Sequence, residues 1–193
     1  MHVIIKVIMS ILIPMFMQFS TVNLVETTPK DAVSDFMDGL KNADRQTIER
    51  YMNNEYVNLL VNVKGNEETV EKMYEALFKN FSYKIDKIAK KNDVAVAKVT
   101  VISNDFSNVR KAYEKASYDY VMDNLYKDKI ADKEWLNEKC FEIYVSRIEK
   151  AATGETSETV IYIPLADNGY YGWNILLNDT MMQSILGGLK MPG

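Results

Sequence analysis

After residue 2 the sequence contains no histidine, and it contains one cysteine, Cys140. The lone histidine, His2, stands in an apolar leader, so the rest of the chain cannot assemble a Ser-His-Asp or Cys-His catalytic group. With one thiol no intrachain disulfide can form, and a zinc site built from Cys and His has no ligand set. Glycine is sparse at eight residues, and the one adjacent pair, Gly187-Gly188, stands near the C-terminus. A glycine loop that cradles phosphate between a strand and a helix is therefore excluded. The four prolines form no tract, no Gly/Ser-rich linker divides the chain, and no segment repeats. Basic residues are scattered over a chain of formal net charge −4. The positive stripe of a nucleic-acid binder is missing, and Lys87, Lys90 and Lys91 mark a solvated hairpin tip. No charge-free apolar run reaches the roughly 20 residues of a bilayer-spanning helix.

What is present begins with the leader. His2 and Lys6 give a small positive start, followed by thirteen apolar-rich residues, Val7 to Phe19. That length suits the hydrophobic region of a signal peptide. No small-residue cleavage pattern stands around Phe19 to Asn23, and no cysteine follows that could accept a lipid. The alternative is an uncleaved anchor over Val3 to Phe19 with Lys6 snorkelling to the interface. Residues 1–25 are thus expected to be a signal peptide or N-terminal membrane anchor. Residues 26–193 are expected to form one domain, exported and either extracellular or held at the outer face of the cytoplasmic membrane. Hydrophobic content of 47% with 26% charged residues is enough for a folded core.

Periodicity predicts the elements of that domain. Thr28-Pro29-Lys30-Asp31 carries the residues of a helix start, and Ala32, Val33, Phe36 and Leu40 recur at helical spacing. A second helix starts at Asp44 with Ile48, Tyr51 and Met52 as its apolar side; residues 53–65 are mixed. A third runs from Glu67 with Val70, Met73, Tyr74, Leu77 and Phe78. The period then becomes two over Phe81, Tyr83 and Ile85, and Val94 to Ser103 returns as a second strand, giving a hairpin over 81–103. Helices follow over 108–126 and from Asp132, where Leu136, Cys140, Tyr144 and Ile148 keep helical spacing; 141–148 is strand by composition alone. Thr159 to Leu165 and Gly172 to Leu176 form a second hairpin around Asn168-Gly169, with Pro164 marking an edge or bulge. A helix over Met181 to Leu189 closes the chain. Helices segregated from antiparallel strands make an α+β domain.

Three stretches, TPKDAVSDFMDGLKNAD (28–44), YEALFKNFSYKI (74–85) and GYYGWNILLND (169–179) followed by ILGGL (185–189), resemble exported, lipoprotein-type proteins of Gram-positive bacteria. The element order resembles the NTF2-like (cystatin-like) superfamily. The resemblance implies a cone in which a curved antiparallel sheet wraps around helices, and an envelope location. It transfers no catalytic residue. Such relatives carry a lipid-accepting cysteine after the leader; its absence here leaves secretion or a retained anchor.

Tyr144, Tyr162 and Trp173 lie on elements that can face one another across such a cone and are the expected ligand-binding residues. For an enzyme, the available chemistry is proton transfer by a carboxylate (Asp86, Asp105, Asp119 or Asp123) beside a tyrosine hydroxyl. Each of these stands where a turn, cap or polar helix face is expected. Tyr118, Tyr120 and Tyr126 follow one another along one helix, and some of them must be exposed, as at a partner surface. No catalytic residue, metal ligand or cofactor is assigned. The expectation is a non-enzymatic envelope protein binding a small ligand or another envelope protein, with no nucleic acid, membrane contact through the N-terminal segment alone, and a homodimer as an option. The alternatives are a hydratase- or isomerase-like enzyme and a structural dimerising module.

Overall fold

Thr28 opens the first helix by closing a capping box. Its backbone N–H donates to Asp31 Oδ2 (2.9 Å), and its Oγ1 accepts from the Asp31 N–H (3.2 Å). The computed structural model describes residues 28–191 apart from 52, 64, 170 and 171. The expected leader over 1–25 lies outside the described residues, as does Met52. Helix α1 spans Pro29–Lys41 and buries Val33, Phe36, Met37 and Leu40. Asp44 caps α2 (Arg45–Glu49), Asn54 caps α3 (Glu55–Val61), and Asn66 caps α4 (Glu67–Phe78). The mixed stretch 53–65 thus holds a short helix that periodicity does not reveal. Asn54 starts it, and Tyr56, Val57, Leu60 and Val61 supply its buried side.

Strands β1 (Ser82–Lys91) and β2 (Val94–Asn104) pair antiparallel around a tight turn, where Asn92 takes a φ of 53°. β1 runs further than period two predicts because Asp86 is an extra residue between the pairs Ile85–Val99 and Lys87–Lys98. That bulge shifts the alternation by one, so the later lysines are strand residues rather than turn. Helix α5 (Val109–Asn124), a 3-10 turn (Asp128–Ala131) and α6 (Lys133–Ala151) follow. Residues 141–148 are helix, resolving the alternative. β3 (Thr156–Asp167) pairs along the whole of β2, and the three-residue β4 (Trp173–Ile175) pairs with its end. The sheet order is β1-β2-β3-β4, all antiparallel and open. Pro164 lies where its C=O accepts from Leu176 N–H (2.9 Å) at the edge of β3, a position that needs no proline donor. Helix α7 (Asp179–Ile185) ends the fold.

The domain is α+β with the two expected hairpins in one sheet. The inner face of the sheet is filled: Ala97, Val99, Val101, Ile161, Ile163 and Leu165 are buried in one cluster with Phe36, Met37 and Leu40 of α1. α4 packs on α6, and α5 packs on α6 as an αα-hairpin. Beyond α7, Gly187 accepts from Phe106 N–H (2.8 Å). Buried Tyr56 and Tyr144 donate their hydroxyls to the carbonyls of Leu189 (2.8 Å) and Lys190 (3.3 Å). These bonds fasten the end of the chain to α3, α6 and the β2–α5 junction.

Candidate functional site

Asp44 accepts from the backbone N–H of Gln46 (3.1 Å) and Thr47 (3.4 Å), which sets Arg45 as the first residue of α2. The Arg45 side chain reaches the end of α3, where Nη2 donates to the Val61 carbonyl at 3.0 Å. Tyr74 of α4 donates its hydroxyl to the neighbouring Leu60 carbonyl, also at 3.0 Å. Both acceptors belong to the last turn of α3, where carbonyls have no partner within the helix. The Arg45 guanidinium lies 5.6 Å from the centre of the Tyr74 ring, a cation–π contact that joins the two donors. Burial pushes the Tyr74 phenol up from its ordinary pKa, with the Arg45 charge acting against it.

Beside this pair opens a cleft of about 600 Å³, within the usual ligand range of roughly 300–1,000 Å³. Ala43, Val63, Val70 and Tyr74 give it apolar lining, and α4 contributes Glu67, Glu71 and Glu75. Residues four apart share a helix face, with about 6 Å of rise between them, so the three glutamates form one row. Three carboxylates thus face one guanidinium that already donates to Val61. The cleft is negative and suits an organic cation with an apolar body. Its lining holds no cysteine, histidine or serine.

Elsewhere, every described carboxyl whose pKa is displaced is displaced downward. Asp31 is lowered by its bonds to Thr28, Asp44 by the Thr47 hydroxyl, and Glu68 by Lys72. Asp86 is lowered by the Thr100 hydroxyl, which donates at 2.6 Å, with Lys84 and Lys98 nearby at 3.6 and 4.0 Å. Asp105 is lowered by Ser107. Asp119 pairs with Lys115 at 2.6 Å on the exposed side of α5, and Asp123 stands exposed near its end. Burial raises the pKa of the half-buried Cys140 thiol, which keeps it protonated. Among the described residues no three His, Cys, Asp or Glu side chains gather as a metal site, and no helix is long and apolar enough to cross a membrane.

The three expected ligand residues do not converge. Strand alternation buries Ile161 and Ile163 and turns Tyr162 to the outer face of the sheet, 62% exposed, opposite Lys98. Trp173 is 7% exposed on the inner side, with Lys90 Nζ 4.8 Å from its ring centre. Tyr144 sits in the helical layer, edge-on to Tyr113 at 5.4 Å, and burial raises its pKa. The cleft residues Arg45 and Tyr74 were missed because a periodic pattern reads Tyr74 as core and Arg45 as surface. The spacing of Glu67, Glu71 and Glu75 was the available signal.

No curated protein matches the chain in sequence. Among solved structures it is similar to YcdA of Bacillus subtilis, provisionally described as a lipoprotein, at 16% identity and a TM-score of 0.41. The match covers 78% of this chain and 44% of that one, so this chain spans less than half of that protein's length. A family model matches residues 23–189, and the chain belongs to that family, DUF5105, a domain of unknown function.

Proposed function

We propose that this chain is an exported, non-catalytic binding domain of the bacterial envelope that takes a small organic cation in the cleft between α2 and α4. The single observation that carries the ligand class is the row Glu67, Glu71 and Glu75 beside the Arg45–Tyr74 pair. Ammonium groups along an extended ligand meet one carboxylate per helical turn, while Tyr74 and Val70 take the methylene chain. The filled inner face of the sheet supports a site in the helical layer rather than inside a cone. Export rests on the apolar run behind Lys6. An NTF2-like arrangement of one domain over residues 26–193 rests on the order of helices, hairpin, helices and strands.

Calorimetry with spermidine as the probe, together with amide chemical-shift mapping, tests the site. Binding should shift amides of residues 43–45 and 63–75, and Glu71→Gln should weaken it by roughly tenfold, the value of one charge-assisted hydrogen bond. Shifts confined to other surfaces, or affinity unchanged by Glu71→Gln, would refute the cleft. Fractionation of cells expressing the full chain tests export separately, and intact protein in the soluble cytoplasm would refute it.

A further inference from the structure

The inner face of the four-stranded sheet is filled, whereas its outer face is open. Directly paired residues share a face, which sets Lys91 beside Val94, Ala89 beside Val96, and Lys87 beside Lys98 and Tyr162. Val94, Val96, Ile102, Val160 and Tyr162 all belong to this outer face and are between 37% and 62% exposed. Exposed apolar residues gathered on one face mark an interaction surface.

Charge says what the surface fits. From Ser82 to Lys98 the chain places five lysines against Asp86 and Asp93, in a protein of net charge −4. Lys84, Lys87, Lys91 and Lys98 stand on the outer face, and Lys90 alternates to the inner side, over the Trp173 ring. Asp86 accepts from the Thr100 hydroxyl at 2.6 Å, with Lys84 and Lys98 at 3.6 and 4.0 Å. Lys87 and Lys91 make no ion pair among the described residues. Asp93 lies in the turn, Asp167 pairs with Trp173 on the inner side, and Glu158 stands at the opposite end of the face, across from Ile102.

The start of α1 lies against the free edge of β1, where Pro29 and Lys30 share a groove with Ile85, Lys87 and Ile88. Eight residues, 20–27, separate the Thr28 cap from Phe19, where the apolar run ends, a reach of at most about 30 Å. A leader held in a bilayer therefore keeps β1 close to the lipid surface.

We propose that the outer face of the β1–β2–β3 sheet docks on an anionic phospholipid surface. This membrane contact is additional to the N-terminal segment and rests on the reading of the chain as an exported envelope protein. Lys87 and Lys91, with Lys84 and Lys98, meet the headgroup phosphates, while Val94, Val96 and Tyr162 lie at the headgroup boundary. A second copy is a poor occupant, because its matching face sets lysine against lysine.

Lysine footprinting of the full chain with an amine-reactive reagent, read by mass spectrometry, tests the contact. Vesicles of equal parts phosphatidylglycerol and phosphatidylcholine are compared with phosphatidylcholine alone, so that any insertion of the leader is common to both. On the anionic vesicles Lys84, Lys87, Lys91 and Lys98 should label at least about threefold more slowly, with Lys111 and Lys133 of the helical layer unchanged. Each lysine at an anionic surface is worth roughly fivefold in binding, so Lys87→Gln with Lys91→Gln should abolish the protection of Lys84 and Lys98. Equal labelling on the two lipids would overturn the proposal, as would protection centred on the helical layer or protection that survives the double substitution. Protection that grows with protein concentration in the absence of vesicles would make a second copy the occupant and overturn it as well. Failure of export shows in fractionation and failure of docking in the footprint, and the cleft shares no residue with this face.

Discussion

Gly187→Ala isolates what holds the C-terminal segment in place. Gly187 has a φ of 54°, and a Cβ added to it would stand 1.8 Å from the Asn104 carbonyl oxygen, at the end of β2. The left-handed conformation by itself costs an alanine about 1–2 kcal/mol. The clash is with backbone, so the segment must move by more than an ångström, which breaks the Phe106 N–H to Gly187 carbonyl bond of 2.8 Å. Phe106 is fully buried, and stranding its N–H costs a further 1–3 kcal/mol or so. The sum is about 2–5 kcal/mol. Gly169 is the internal control: its φ is 72°, yet nothing lies within 4 Å of the place a Cβ would take. Gly169→Ala should lose only the conformational part, about 1–2 kcal/mol. Urea titrations followed by far-UV circular dichroism measure both variants. Equal losses at the two positions would refute the claim that the Asn104 contact, rather than backbone conformation, makes glycine necessary at 187.

Two further predictions concern the core and pH. Trp173→Ala should destabilise by about 3–5 kcal/mol, the usual cost of deleting a large buried aromatic, and a loss below about 1 kcal/mol by urea titration would show that the ring is dispensable. The folded-state pKa values of Asp31, Asp44, Asp86 and Asp105 are lowered, so these groups bind protons more readily in the unfolded chain. Their stabilisation is present above the unfolded carboxyl pKa of about 3.9 and is lost as pH falls through the folded values. The urea midpoint should therefore drop in acid, with a shallower drop in Asp44→Asn; an unchanged slope would remove Asp44 from this account.

The elements most legible in the sequence were those with local causes. Thr28 to Asp31 spelled a capping box, Asp132 a helix start, and Asn168-Gly169 a turn, because each is settled by a side chain meeting a backbone N–H within a few residues. Period-two reading failed at Asp86, where one extra residue reversed the faces of β1 and hid its second half. It also missed α3, whose seven residues are too few for a period to stand out. Tyr162 and Trp173 show the same limit at the site. Both are aromatic and both lie on strands of one hairpin, yet a shift of one residue in register parity sends one ring outward and the other inward.

α5 marks where local reasoning stops. Its pattern predicted a helix with Val109, Ala112, Tyr113, Ala116, Tyr120 and Met122 along it, and the helix is there. Of these Val109 alone is buried, and Met122 is exposed. Apolar spacing reports that a stripe will be covered; it is silent on whether the cover comes from the same chain.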